Sequence, residues 1–244
     1  MKSRWEGLNY IEICSGLGRC VIRDDGREID GTALAIINHP IFGLIKKALF
    51  IDYSPKVVDT LTKRINALNA SNKAVARVGD YMDPTGIAKL LNTLPSGCLN
   101  LCFVDPTQCD VPFETITGIA KILRKVDFII NVALGTDVTR NIVGAILDTS
   151  FAAVRKKYAS FLGSEDFFNR DDVHSFAMQG KNEELRRAFV AEYLQGLDRL
   201  GFRYVDAKPV KNYYHLLFAS GNPKGLEFWK KACAIGPDNQ REMF

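Results

Sequence analysis

Four acidic residues stand where apolar runs give way to turns: Glu12, Asp52, Asp80 and Asp105. Glu12 lies in Tyr10-Ile-Glu-Ile-Cys-Ser-Gly-Leu-Gly-Arg-Cys20, whose β-prone start breaks at Gly16 and Gly18. A strand that ends in such a turn lets backbone N–H groups approach a ligand with no side chain between them. A carboxylate close to that point can accept hydrogen bonds from a cationic or hydroxyl-bearing ligand. Asp52 closes Ala48-Leu-Phe-Ile-Asp52, Asp80 follows Ala74-Val-Ala-Arg-Val78 and Gly79, and Asp105-Pro106 follows Leu99-Asn-Leu-Cys-Phe-Val104. In an open parallel sheet all strand carboxyl ends share one edge, and ligands bind there where the strand order switches. Acids on that edge beside a glycine turn suit a ligand with a ribose and a cationic group. Asp52 would take the ribose hydroxyls and Asp80 the exocyclic amine of a base. Any one of these acids also reads as an ordinary exposed residue after a strand; the ordered set is the specific feature.

The elements that would position them alternate. After the first strand (about Tyr10–Cys14) the charged, glycine-bearing segment Arg23–Gly31 reads as an exposed loop or short hairpin. Thr32 could cap a helix reaching His39, which Pro40 stops. Ser54-Pro55 starts a second helix, serine as cap and proline at the first helical position, with Val57, Val58, Leu61, Ile65 and Leu68 on one face. Helices are expected at about Thr85–Leu94, Phe113–Leu123 and Val138–Leu147, with a fifth strand at Val126–Asn131. Strands that are solid apolar runs are buried on both faces, as in a parallel sheet covered by helices. From about 150 to 182 the alternation is lost, and a helical insertion or lid in a single domain is expected. A helix at Asn182–Leu200 and two strands, Phe202–Ala207 and Tyr213–Ser220, follow. The link between those strands is too short for a crossover, so they must be antiparallel neighbours. Pro223–Cys233 is a last helix, with Phe228 and Trp229 on its apolar side, and Trp5 is placed against the first strand. The fold class is therefore α/β: a doubly wound, mostly parallel seven-stranded sheet with an antiparallel last strand.

Bulk properties narrow the classes. The 244 residues are 47% hydrophobic and 25% charged, with a formal net charge of +4, as in an ordinary globular protein. No run is long and apolar enough to cross a bilayer, and Met-Lys-Ser-Arg-Trp-Glu lacks the apolar core of a signal peptide. The six cysteines include no Cys-x-x-Cys pair, and the three histidines are well spread, which argues against a metal site. Small buried cysteines in a reducing cytoplasm are the expectation.

The dinucleotide fingerprint would require a third glycine after Gly18, where Arg19, Cys20 and Val21 stand. A nicotinamide fold would also continue with parallel strands. The antiparallel ending together with the acids resembles the Rossmann-like S-adenosylmethionine-dependent methyltransferases. Glu12, Cys14, Ser15, Gly16 and Gly18 look like their first motif, Asp52 with Tyr53 like the acid after their second strand, and Asp80 with Tyr81 like their adenine-side acid. Asp105-Pro106-Thr107-Gln108 looks like the fourth motif, which borders the substrate. A closer resemblance, to the bacterial three-Cys-motif partner family, is carried by Tyr10–Gly16, Asp30–Leu34, Phe50–Asp52, Val104–Pro106, Ile129–Asn131 with Arg140-Asn141, Tyr213–Ala219, Lys224-Gly and Phe228-Trp229. Three departures stand out: Glu12 where the family usually has Asp, Thr107-Gln108 where it usually has an aromatic followed by glycine, and an N-terminal helical lead that is missing or very short.

The resemblance implies S-adenosylmethionine as cofactor and methyl transfer as reaction, with a catalytically silent subunit beside a protein encoded nearby as the other reading. Methyl transfer from a sulfonium is an in-line displacement, in which the protein holds donor and acceptor and excludes water. Asp105 and Gln108 present acceptors that could hold an amine; Asp105 as a helix cap is the plainer reading. Pro106, Asn131 and Arg140 would line the acceptor pocket, Arg140 reading equally as a surface helix residue. Cys109 lacks the preceding proline expected of a nucleophile. Arg155-Lys156-Lys157 with Tyr158, Phe161, Phe167 and Phe168 mixes charge and rings as nucleic-acid binding does, or is a solvated helix face over core aromatics.

Overall fold

The computed structural model describes residues 6–22 and 24–234; Trp5, Arg23 and the segment 236–244 lie outside them. The chain forms two compact units, Met1–Asp105 with Thr115–Val126, and Pro106–Glu114 with Asp127–Phe244. The first contains β1 (Leu8–Ile13), the hairpin strands β2 (Arg19–Val21) and β3 (Glu28–Asp30), α1 (Thr32–Asn38), β4 (Ile45–Asp52), α2 (Pro55–Ala67), β5 (Ala74–Val78), α3 (Pro84–Leu91), β6 (Leu99–Val104) and most of α4 (Phe113–Ile122). The second contains nearly all of β7 (Val126–Val132), a π-helical turn Leu134–Val138, α5 (Thr139–Leu147), α6 (Ala152–Leu162), α7 (Asp171–Met178), α8 (Asn182–Arg199), β8 (Tyr204–Val210), β9 (Tyr214–Ser220) and α9 (Pro223–Cys233).

The sheet runs β5-β4-β1-β6-β7-β9-β8. β1 pairs in parallel with β4 and β6, and β4 with β5, whereas β9 is antiparallel to both β7 and β8. This is the doubly wound, mostly parallel seven-stranded sheet with an antiparallel last strand that the alternation predicts, without the parallel ending of a nicotinamide fold. The chain order reverses at β1, which makes the exit of β1 the switch point.

In the first unit Ala48, Leu49, Phe50 and Ile51 are all essentially buried, so β4 is covered on both faces. Phe50 and Tyr10 pack with Leu34 and Ile37 of α1 and Leu61 and Ile65 of α2. Each such side chain contributes about 1.5–3 kcal/mol on burial. Ser54 caps α2 as expected, accepting from the Val57 N–H at 3.5 Å with Pro55 at the first helical position. Thr32 is not the cap of α1: Gly31 occupies that place and the Thr32 hydroxyl is used elsewhere. Residues 24–31 contribute to the β2–β3 hairpin, whose base is closed by a 2.8 Å bond from Gly31 N–H to the Gly18 carbonyl.

In the second unit β8 and β9 pair from Tyr204↔Ser220 to Val210↔Tyr214. Trp229 of α9 stacks on Phe218 with ring centroids 5.2 Å apart and donates to Asp206 at 2.8 Å. Phe228, expected on the same apolar side, is exposed; consecutive helical residues point about 100° apart, and on α9 only Trp229 is turned into the core. The region from 150 to 182 carries α6 and α7. Tyr158, Phe161, Phe167 and Phe168 are all buried, with Phe161 stacked on Phe189 of α8 and 4.7 Å from Tyr193. These rings are core and have no face for a nucleic-acid base, so the plainer of the two readings holds for them. No helix among the described residues is long and apolar enough to cross a membrane.

Candidate functional site

Backbone hydrogen bonds gather the acidic strand exits of the first unit onto one rim. Asp105 N–H donates to the Ile13 carbonyl at 3.1 Å, Ser15 N–H to Ile51 at 3.1 Å, and Gly79 N–H to Asp52 at 3.0 Å. The exits of β6, β1, β4 and β5 therefore follow one another in sequence along the rim, as the parallel registers Ile13↔Val104, Ile13↔Ile51 and Asp52↔Val78 require.

The turn leaving β1 is left-handed at alternate residues: φ is +66° at Cys14, +61° at Gly16 and +78° at Gly18. Its Ser15 and Gly16 N–H groups are taken up by the Ile51 carbonyl and the Asp52 carboxylate, so the turn is tied to the exit of β4. A Cβ at Gly16 would meet nothing within 4 Å, whereas one at Gly18 would lie 2.7 Å from Leu61 Cδ1 and 3.0 Å from Leu34 Cγ. Gly16 thus borders open space and Gly18 seats the turn on the core. Ser15 Oγ is buried in the same turn with no hydrogen-bond partner among the described residues. Arg64 of α2 donates to the Leu17 carbonyl at 2.5 Å and pins the turn from the other side. Alanine at either glycine costs about 1–2 kcal/mol in backbone strain. Gly18→Ala adds overpacking of about 1–3 kcal/mol, so urea unfolding should show it to be clearly less stable than Gly16→Ala. Equal losses would mean that the turn yields.

Asp52 is 8% exposed and holds the turn directly. One carboxylate oxygen accepts from Gly16 N–H at 3.1 Å and the other from Ser54 N–H at 3.0 Å. Each oxygen keeps a lone pair for a further donor. Tyr53 beside it is 65% exposed. Asp80 is exposed and accepts from Met82 N–H at 2.8 Å, while Tyr81 is half-buried and its carbonyl accepts from the Thr115 hydroxyl at 2.6 Å.

Glu12 sits one layer deeper than the sequence suggests. It is 1% exposed, and its two oxygens accept from the Tyr10 hydroxyl, at 3.0 Å, and from the Thr32 hydroxyl. It therefore orients the strand end and α1 and does not reach out to a ligand. Burial raises its pKa from the ordinary 4.5 to about 7; the bonds from Thr32 and Tyr10 pull against this, and the Asp105 charge adds to it. The native state then holds a proton that the unfolded chain has already released, so stability falls as pH rises from about 4.5 to about 7. The stability of Glu12→Gln relative to the parent should rise by about 3 kcal/mol between pH 4 and pH 8, at roughly 1.4 kcal/mol per pKa unit. Parallel stability curves for the two proteins would contradict the assignment.

Asp105 is half-buried, and because α4 begins only at Phe113 it is not that helix's cap. In the second unit Pro106 is buried and its carbonyl accepts from Asn131 Nδ2 at 3.4 Å. Gln108 is exposed and its amide oxygen accepts from Lys157 Nζ at 3.2 Å. Arg140 is exposed on α5. Cys109 is fully buried, and burial pushes its thiol well above the ordinary range, which removes it as a thiolate nucleophile. Contrary to the expectation of buried cysteines, Cys20 is exposed and Cys14 and Cys233 are half-buried.

Sequence reading misses Asp137 altogether. This buried carboxylate accepts from Lys157 Nζ at 2.8 and 3.0 Å, Tyr158 hydroxyl at 2.8 Å, Cys109 N–H at 2.9 Å and Asn141 Nδ2 at 3.1 Å. Burial alone would raise its pKa; the donors from Lys157, Cys109 and Tyr158 overcome that and hold it below the ordinary carboxylate range. Asp137 thereby fixes the segment that carries Gln108 and Cys109.

No family model matches the sequence, and no curated protein matches it. Solved structures give weak likenesses. The S-adenosylmethionine-dependent methyltransferase SibL in its apo form is 12% identical at a TM-score of 0.43, covering 88% of this chain and 50% of that one. A SAM dependent methyltransferase from Aquifex aeolicus is 12% identical at 0.45, over 89% and 84% of the two chains. The O-methyltransferase from Bacillus cereus in complex with SAH is 13% identical at 0.42, over 87% and 73%. The chain spans half the length of the first of these proteins. The fold class of this chain rests on its own strand order, a doubly wound sheet closed by an antiparallel strand.

Proposed function

We propose that the chain is an S-adenosylmethionine-dependent methyltransferase whose first unit holds the cofactor, within or beside the three-Cys-motif partner family and acting in the bacterial cytoplasm. The observation that carries this reading is the rim itself: a left-handed glycine turn, an orphaned Ser15 hydroxyl and a buried Asp52 brought together at the switch point of a doubly wound sheet. These residues fit the group. Asp52 has a lone pair left on each oxygen for the ribose hydroxyls, and exposed Asp80 suits the adenine amine. Gly16 leaves room beside the turn; Cys14 and Ser15 complete the cradle, and Gly18 supports it by seating the turn on Leu34 and Leu61. The exposed Tyr53 ring and Tyr81 would flank the base.

When bound, S-adenosylmethionine supplies an electrophilic methyl group on a sulfonium. The remaining work belongs to the chain: Asp52 and the turn orient the donor, and Glu12 positions the turn. Asp105 accepts a hydrogen bond or a proton from the acceptor. Pro106, Gln108, Asn131 and Arg140 are assigned to acceptor selection. A second reading, a catalytically silent subunit beside a partner protein, draws on Gln108, whose amide oxygen is already engaged by Lys157.

Calorimetric titration with S-adenosylmethionine and S-adenosylhomocysteine tests the cofactor, and transfer of a labelled methyl group to total RNA, DNA and protein tests catalysis. Binding of both with transfer to one class supports the enzyme, and binding without transfer supports the subunit. Failure of both to bind removes the proposal.

A further inference from the structure

The second unit holds a cleft of about 510 Å³ that the cofactor rim does not use; small-molecule sites commonly span about 300–1,000 Å³. The π-helical turn after β7, one face of α8 and the link between β8 and β9 form its walls. Turn and link are fastened together. Gly135 N–H donates to the Tyr213 carbonyl at 2.8 Å, and a Cβ at Gly135 would fall 1.7 Å from the Asn212 carbonyl oxygen. The cleft's shape is therefore built in.

Its chemistry is two-sided. Val190, Leu194 and Pro209 supply an apolar wall, while Arg186, Arg187 and Lys211 share the lining with a single acid, Glu183. Arg186 is the anchored cation, with a side chain only 25% exposed. One terminal nitrogen pairs with Glu183 and the other reaches the Thr139 hydroxyl at 3.5 Å. Its Nε is buried with no hydrogen-bond partner among the described residues, and so is Nδ1 of His215 in the same lining. A buried N–H left without an acceptor costs about 1–3 kcal/mol, an expense that is recovered when a ligand supplies the acceptor. Burial and the nearby Arg186 charge hold His215 below the ordinary histidine range. Glu183 is 66% exposed, so it is a counter-ion that can be displaced at little cost.

We propose that this cleft binds an organic anion: an apolar body against α8 and the β8–β9 link, and a phosphate or carboxylate that takes the place of Glu183 on Arg186, with Arg187 and Lys211 beside it. The site stands on its own geometry, whether or not the chain transfers methyl groups.

The test titrates the full chain at low salt with phenyl phosphate, benzoate and neutral benzyl alcohol. At least one anion should bind tenfold or more tightly than benzyl alcohol, and the stronger of the two identifies the anionic group. Arg186→Gln should weaken that binding at least tenfold, and Glu183→Gln should strengthen it severalfold. Should Arg186→Gln fail to fold, the double variant Arg187→Gln/Lys211→Gln takes its place, with a severalfold loss expected. No preference for either anion over benzyl alcohol overturns the proposal. So does parent-like affinity in a folded Arg186→Gln, or in both the double variant and Glu183→Gln.

Discussion

Asp52→Ala is expected to lower S-adenosylhomocysteine affinity by about 100-fold, close to 2.8 kcal/mol. Two losses combine in that figure. The carboxylate that would meet the ribose disappears, and the Gly16 and Ser54 N–H groups lose their acceptors. The second loss also costs stability, about 1–3 kcal/mol for donors left unpaired in a partly buried place. Asp52→Asn separates the two effects. Its amide oxygen can still accept from one N–H, so it should recover much of the stability while remaining weak in binding. Titration calorimetry gives the affinity and urea unfolding the stability of each variant. An Asp52→Ala protein that binds within threefold of the parent would show that the rim is not the cofactor site.

Asp137→Ala is expected to carry the largest stability penalty in the second unit, about 3–5 kcal/mol, the range for removing one partner of a buried ion pair. The Lys157 ammonium would be left with Gln108 as its remaining acceptor, and the Tyr158 hydroxyl and Cys109 N–H would lose theirs. Lys157→Met in the same background should restore part of the loss, because it removes the uncompensated charge; the double-mutant cycle measures how much. A single-variant loss under about 1 kcal/mol, measured by chemical denaturation, would mean that Asp137 is not the hub that its contacts suggest.

The difference in legibility between Asp52 and Asp137 has a physical reason. Asp52 ends a solid apolar run and is followed by Ser54-Pro55, so strand, turn and helix cap are all local signals. Of the donors to Asp137, Asn141 lies one helical turn away, but residues 109, 157 and 158 stand 20 to 28 positions off, and no periodicity links positions that far apart. Glu12 is an intermediate case. Its place near a strand end is legible, but its depth depends on where Thr32 of α1 lands, which is tertiary information. The aromatic segment 158–168 shows a similar limit. Rings beside lysines suit a base-stacking surface and a helical core equally well in sequence, and only the packing against Phe189 and Tyr193 decides between them. The antiparallel final pair was legible because chain length between two strands is a hard geometric bound.

The closure of the β2–β3 hairpin at Gly31 and Gly18 has an architectural consequence. The two glycines act as a clasp, so the peptide between them leaves and re-enters the rim at a fixed gate. Its salt bridges, Arg19 to Glu28 and Asp30 and Arg27 to Asp25, are local to the excursion. Length and sequence there can drift, or be replaced by a grafted module, while the strand exits behind the clasp keep their spacing. The three-residue step from Cys14 to Gly16, by contrast, is tied to β4 through Ser15 N–H and to Asp52 through Gly16 N–H.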